Sequence, residues 1–216
     1  MKLYDSMGPN PRLVRMFMAE KGIDLPRVPV DIMAAENRGE AYLERNPFGQ
    51  LPALELDDGR VIGETVVICE YLEEKHPQPP LVGTTAEERA ETRMWARRAV
   101  LNVIQHMGNG FRYKEALPMF KDRMRTIPHA ADDLKALAQD NLKLFEQCLE
   151  GRTWLAGSRF TLADIVLYSA LDFFAGVGQP LDPSLKNLNA WFQRVSARPS
   201  AEASLHANAK AAKVRG

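Results

Sequence analysis

The sequence lacks the marks of a secreted, metal-binding or membrane protein. Only two of its 216 residues are cysteine, Cys69 and Cys148, and they form neither a CxxC pair nor a metal-ligand spacing. That excludes a disulfide framework. Both fall in segments of helical pattern, where a buried, inert thiol is the expectation, and a reduced intracellular compartment follows. There is no charge excess either: 28 Lys and Arg balance 28 Asp and Glu. The chain therefore has no basic footprint for nucleic acid. Only the tail, with Lys210, Lys213 and Arg215, leans basic, and it reads as a frayed, solvated end. No apolar run reaches the ~18 residues of a membrane helix. Met1 leads directly into a strand-like run with no signal peptide, so the cytoplasm is the expected location and no membrane partner is expected. Internal repeats and low-complexity stretches are missing too.

What is present falls into two halves of different texture. Met1–Tyr4 is short and apolar and reads as a strand. Gly8-Pro9-Asn10-Pro11 breaks it and opens a helix, with Pro11 in the first turn, where a missing N–H costs nothing. Leu13, Val14, Phe17 and Met18 recur at helical spacing, and Gly22 ends the helix. Val28–Val30 reads as a second strand, followed by a loop or short helix around Asn37–Leu43. Two short runs, Leu51–Leu56 and Arg60–Ile62, flank Asp57-Asp58-Gly59 and predict a β-hairpin. Glu64–Lys75 then reads as helix. The order β-α-β-α-β-β-α predicts a four-stranded sheet with helices packed on it.

His76-Pro77-Gln78-Pro79-Pro80 is a stiff linker. Beyond it the pattern is helical throughout. A long helix is predicted over 86–113, with Trp95, Ala99, Val103 and Met107 on its apolar stripe. Another spans 130–149 on Leu134, Leu137, Leu142, Phe145 and Leu149, and two more cover 161–175 and 185–197. The expected division is an α/β domain over 1–80, an all-helical domain over 86–205 and a tail over 206–216.

Two motifs carry chemistry. The first is Asn46-Pro47-Phe48-Gly49-Gln50-Leu51-Pro52-Ala53-Leu54. A proline opening a sheet strand belongs at an edge or special turn. A cis peptide before Pro52 would bend the chain and leave the Leu51 N–H and C=O free to pair with an extended ligand, as an added strand does. The second is Glu64-Thr65 at a helix start. Unpaired N–H groups there and the Thr65 hydroxyl suit a carboxylate, and Glu64 suits an ammonium group. Together they fit an α-amino-acid head.

At these residues the chain resembles the glutathione transferase superfamily, over nearly its whole length: the Lys2-Leu3-Tyr4 strand, the NPxGxLPxL run, Glu64-Thr65, the Pro-rich linker and the helical second half. The resemblance implies a thioredoxin-like first domain and a role in detoxification. It implies glutathione as co-substrate, with no metal: the γ-glutamyl group at Glu64 and Thr65, the cysteinyl backbone at Leu51 beside Pro52, and the glycyl carboxylate near Gln50 and Arg38. The other reading of Arg38 is an exposed surface charge. The resemblance also implies a homodimer, in which Asn102 would reach the partner subunit's glutathione. A further family hallmark, Phe160-Thr161-Leu162-Ala163-Asp164-Ile165, forms a capping-box pattern with Asp in place of Glu, and Phe160 and Ile165 could form the hydrophobic staple. It reads as structural, worth about 1 kcal/mol.

Such a protein must turn a thiol of pKa ~8.5 into a thiolate. Two pKa units require roughly 2.7 kcal/mol. A hydrogen bond to a charged group supplies about 1.5–3 kcal/mol, and a helix N-terminus about 0.3–1. Many relatives place Ser, Thr or Cys at the position of Gly8, which has no side chain. Asn10 is the first candidate donor, against a reading as a local turn or capping residue. Ser6 and then Tyr4 follow. His106, Phe111 and Tyr113, with Tyr168, are candidates to line a second-substrate pocket, against a reading of plain core packing. Three functions compete: conjugation to a small apolar electrophile, glutathione-dependent reduction of a disulfide or peroxide, and a non-catalytic scaffold. The lack of Cys at position 10 argues against a mixed-disulfide mechanism, and the intact Leu51-Pro52 and Glu64-Thr65 sites argue against the scaffold.

Overall fold

Strand β1, Lys2–Asp5, is the second strand of a four-stranded mixed sheet ordered β2-β1-β3-β4. The computed structural model describes residues 1–209 and 215–216. Lys210 and Lys213 lie outside the described residues. β2 (Arg27–Pro29) runs parallel to β1; β3 (Ala53–Glu55) is antiparallel to β1, and β4 (Val61–Ile62) antiparallel to β3. Pro29 sits on the edge strand, where a lost donor breaks no ladder. Helix α1 (Pro9–Lys21) packs on α3 (Thr65–Lys75), with α2 (Glu40–Leu43) between the second and third strands in sequence. α1 ends as its sequence predicts: Gly22 adopts φ 65° and bonds back to the Ala19 carbonyl. This is the thioredoxin-like architecture expected, with each strand boundary within a residue or two of its predicted place.

The second half is helical. α4 (Ala86–Ala99) starts at Thr85, whose side chain accepts the Glu88 N–H at 3.2 Å. A single helix was predicted over 86–113. Instead a π turn, Val100–Ile104, separates α4 from α5 (Gln105–Tyr113). α6 (Leu117–Phe120), α7 (Ala131–Cys148), α8 (Leu162–Ala175) and α9 (Lys186–Ser196) follow. α8 is the centre: every residue from Leu162 to Phe174 is buried, and α4 and α9 pack against it. Its start is held by Asp164, whose carboxylate accepts the Thr161 N–H (2.9 Å), the Leu155 N–H (3.0 Å) and the Trp191 indole N–H (2.8 Å).

The chain divides into two compact units, Met1–Val82 with Arg198–Gly216, and Gly83–Ala197. Four expectations differ from the structure. The helical domain was expected to run to 205, but α10 (Pro199–Ala203) packs on α1 in the first unit. Arg198 forks onto Glu20 at 2.6 and 2.7 Å, and Arg12 donates to the Ala201 carbonyl at 3.1 Å. The tail is not frayed at its described ends: the Arg215 carbonyl accepts from Arg12 at 2.6 Å, and Ala209 is buried. Fully buried guanidiniums need acceptors, and backbone carbonyls of this segment provide them. Cys69 is buried, but Cys148 is exposed, because it lies off the Leu142, Phe145 and Leu149 stripe of α7. Leu137 lies off that stripe too and is exposed.

Candidate functional site

Sheet register brings the predicted residues to one end of the first unit. β1 runs parallel to β2, so both C-terminal ends lie together. Tyr4 stands opposite Ala53, so the start of β3, with Leu51-Pro52, faces the end of β1 and the turn into α1. Ile62 stands opposite Leu54, so Gly63-Glu64 and the start of α3 emerge at the same end. Loops at the carboxyl ends of parallel strands are where ligands of open α/β sheets bind.

The Leu51–Pro52 peptide is cis. Leu51 is buried, yet neither its N–H nor its C=O bonds to another described residue. The loop before it is braced by three groups that sequence reasoning missed. Asn37 Nδ2 donates to the Gly49 carbonyl (2.6 Å), and both Tyr42 Oη (2.7 Å) and Asn46 Nδ2 (2.9 Å) donate to the Gln50 carbonyl. Gly49 has φ 60°, and a Cβ there would meet the Asn37 carbonyl at 2.8 Å, so only glycine fits. The one signal in the sequence was Asn46 itself, four residues before the carbonyl it holds. Asn46 Nδ2 also lies 4.0 Å from where a Gly63 Cβ would stand, which ties this loop to the start of α3.

Glu64 carries φ 65°, ψ 115°, in the left-handed region that a side-chain-bearing residue rarely adopts. It is exposed. The first bond of α3 is Ile68 N–H to the Glu64 carbonyl, so the Thr65 and Val66 N–H groups have no acceptor among the described residues. Such a backbone costs of order 1–3 kcal/mol and persists only where the surrounding structure holds it.

The thiol donors sort by burial and partner. Asn10 is exposed at the second position of α1, and its amide bonds to no described residue. Prolines at 9 and 11 lack an N–H, and Arg12 N–H is taken by the Gly8 carbonyl at 3.2 Å. The first turn of α1 therefore offers one backbone donor, that of Asn10, plus its side chain. Gly8 caps the helix at φ 137°. Ser6 is buried at 4% exposure, with its carbonyl held by Arg15, which weighs against it as a donor to a ligand. The Tyr4 hydroxyl is committed: it donates to Glu55 (2.6 Å) and accepts from Arg45 (2.9 Å). Burial raises the Tyr4 pKa, and the bond to Glu55 adds to the rise. Arg38 is exposed and donates to the Phe48 carbonyl at 3.3 Å, and Gln50 is exposed.

In the helical unit, Phe111 stacks edge-on with Phe173 (5.7 Å) and Phe174 (6.2 Å), and Tyr113 is buried. Tyr168 is fully buried and donates to Asp172. These rings serve the core at least in part. His106 is half-buried on α5, and the exposed Asn102 donates to the Arg98 carbonyl of its own helix at 3.0 Å.

Among the described residues no group of three His, Cys, Asp or Glu could hold a metal, and no helix is long and apolar enough to cross a membrane. The glutathione S-transferase N-terminal domain matches residues 7–75, and the C-terminal domain of the same name matches 114–199. Glutathione S-transferase 2 of Saccharomyces cerevisiae is 30% identical across 97% of this chain and 91% of its own. FtsZ-localized protein A of Caulobacter vibrioides is 33% identical across 89% and 85%. The crystal structure of a glutathione S-transferase domain-containing protein from Marinobacter aquaeolei superposes with a TM-score of 0.86 at 36% identity, covering 93% of this chain and 99% of that one. By sequence and by fold, the chain belongs to the glutathione S-transferase family.

Proposed function

We propose that this protein binds glutathione along the end of the sheet and ionises its thiol for attack on a small, largely apolar electrophile. The carrying observation is the free N–H and C=O of buried Leu51, at the same sheet end as the starts of α1 and α3. In this reading the cysteinyl backbone pairs with Leu51 as an added strand. The γ-glutamyl carboxylate takes the Thr65 and Val66 N–H groups and the Thr65 hydroxyl, and its ammonium group pairs with Glu64. Gln50 and Arg38 receive the glycyl carboxylate. The thiol then lies at the start of α1, where Asn10 donates to it. One charge-assisted bond of about 1.5–3 kcal/mol and the helix terminus together lower the thiol pKa by about two units. The thiolate sulfur bonds to the electrophilic carbon, the leaving group departs with its electron pair, and the thiol proton passes to solvent. A cytoplasmic homodimer is the expected form.

The test is binding. Changing Glu64 and Thr65 together to alanine should weaken glutathione binding at least about tenfold in calorimetry. Unaltered affinity would remove the γ-glutamyl site from this account. A scaffold function has one specific support, the relative named for its localisation to FtsZ. Under that reading glutathione would bind with its thiol unactivated.

A further inference from the structure

The turn that leads from β1 into α1 is bonded to a buried ion pair. Asp5 ends β1 and Arg15 sits in the middle of α1; their side chains, 9% and 1% exposed, meet at 2.5 Å. The Asp5 carboxylate also accepts the Ser6 N–H at 2.9 Å, and Arg15 Nη1 donates to the Ser6 carbonyl at 2.9 Å. Arg15 Nε donates to the Ser204 carbonyl at 2.8 Å, so three acceptors fix the guanidinium. All of these residues belong to the first unit.

Stability alone does not account for this pair. Apolar packing of similar volume commonly matches or exceeds a buried ion pair, and buried donors are nearly always paired. Yet Arg15 Nη2 is buried and has no acceptor among the described residues. Burial lowers the Arg15 pKa, Asp5 opposes the shift, and Arg27 and Arg12 add to it. Three guanidiniums thus share the neighbourhood of one carboxylate, and the balance is cationic. His206 registers the same field: burial lowers its pKa, Arg15 lowers it further, and Asp5 raises it.

The proposed thiol position is close enough to feel this charge. Gly8 lies two residues beyond Ser6, at most about 7 Å of chain. Asn10 precedes Arg15 by five residues, about 7.5 Å of helix axis. Both charges are therefore on the order of 10 Å from the first turn of α1. A unit charge at that range in a partly buried setting shifts an ionising group by about one pKa unit.

We infer that the Arg15–Asp5 pair sets the charge at the thiol site: Arg15, a positioning residue acting at a distance, favours the thiolate at the start of α1, and Asp5 limits how strongly it does so. The inference rests on the transferase reading above and deepens it, assigning the tuning of that site to two buried residues beneath its turn.

The sign of the response separates charge from mere support. The ultraviolet absorbance of bound glutathione is titrated in the wild-type chain, in Asp5→Asn and in Arg15→Met, with folding checked by circular dichroism. Asparagine keeps the shape and the acceptor of Asp5 but leaves Arg15 uncompensated, so the thiol pKa should fall about one unit below the wild-type value. Methionine removes the cation, so the thiol pKa should rise by about one unit, and Arg15→Lys, which restores a cation, should bring it back near the wild-type value. Loss of support alone would move Asp5→Asn and Arg15→Met the same way, toward the thiol of free glutathione. Shifts of the same sign, or no downward shift in Asp5→Asn, would overturn the assignment. Should Arg15→Met fail to fold, Asp5→Asn decides the matter, because a loosened turn cannot lower the pKa. A wild-type thiol that titrates as in water strikes the transferase reading, whereas the sign of the two variants strikes only this one.

Discussion

In the proposed reading, Glu64 is the residue that serves ligand over fold. At φ 65° it occupies a backbone region that suits glycine, and its side chain caps nothing. Glu64→Gly should therefore raise stability by about 0.5–1 kcal/mol in chemical denaturation, while glutathione affinity falls at least about tenfold. A variant that loses both stability and affinity would make Glu64 a structural residue. The sequence alone singles out Glu64, Thr65, Leu51 and Pro52 as candidates, because proline position and helix-start chemistry are local. Burial and partner choice are not local, so the sequence ranks Asn10 before Ser6 and Tyr4 without showing that Ser6 is buried and that the Tyr4 hydroxyl is already bonded. Tyr4 reads as a free hydroxyl until Glu55 and Arg45 are seen on it. Asn37, Tyr42 and Asn46, which hold the loop before Leu51, act on backbone carbonyls and leave no periodic signal.

At the scale of elements, α8 was legible as a helix with a capping box, but its cap does more than cap. An ordinary cap is worth about 1 kcal/mol. Asp164 also satisfies the Leu155 N–H and the indole N–H of fully buried Trp191. Burial raises its pKa, while the four donors around it act the other way. Asp164→Ala leaves the buried N–H groups of Thr161, Leu155 and the Trp191 indole without this acceptor and should cost about 3 kcal/mol or more in denaturant unfolding; a cost near 1 kcal/mol would return the residue to a plain cap. The place of α10 was not legible, because it depends on pairs 178 residues apart in sequence. Burial would push the Glu20 carboxyl up, but the Arg198 guanidinium and the Ser200 hydroxyl outweigh it and hold it down. A depressed carboxylate stabilises the folded state above its unfolded value of about 4.3, and that contribution is lost as pH falls through the lower folded value. Amide exchange in residues 199–205 should therefore lose protection selectively below about pH 4. Protection that stays flat there would show that Glu20 does not hold the helix.

For the molecule as a whole, the change of texture near residue 80 announced a sheet-based unit followed by a helical one. The return of Arg198–Gly216 to the first unit could not be read from hydrophobic periodicity. The motifs ran in family order, and family membership and fold agree with that order. The missing hydroxyl at Gly8 sharpens the functional question to one residue, since the first turn of α1 presents only the Asn10 backbone N–H and amide. The most direct test is an ultraviolet titration of the thiol of bound glutathione in the wild type and in Asn10→Ala. The account predicts that the wild-type thiol ionises about two units below its free value of ~8.5 and that the variant loses most of this shift. A bound thiol that titrates as it does in water, or a shift that survives the loss of Asn10, would contradict it.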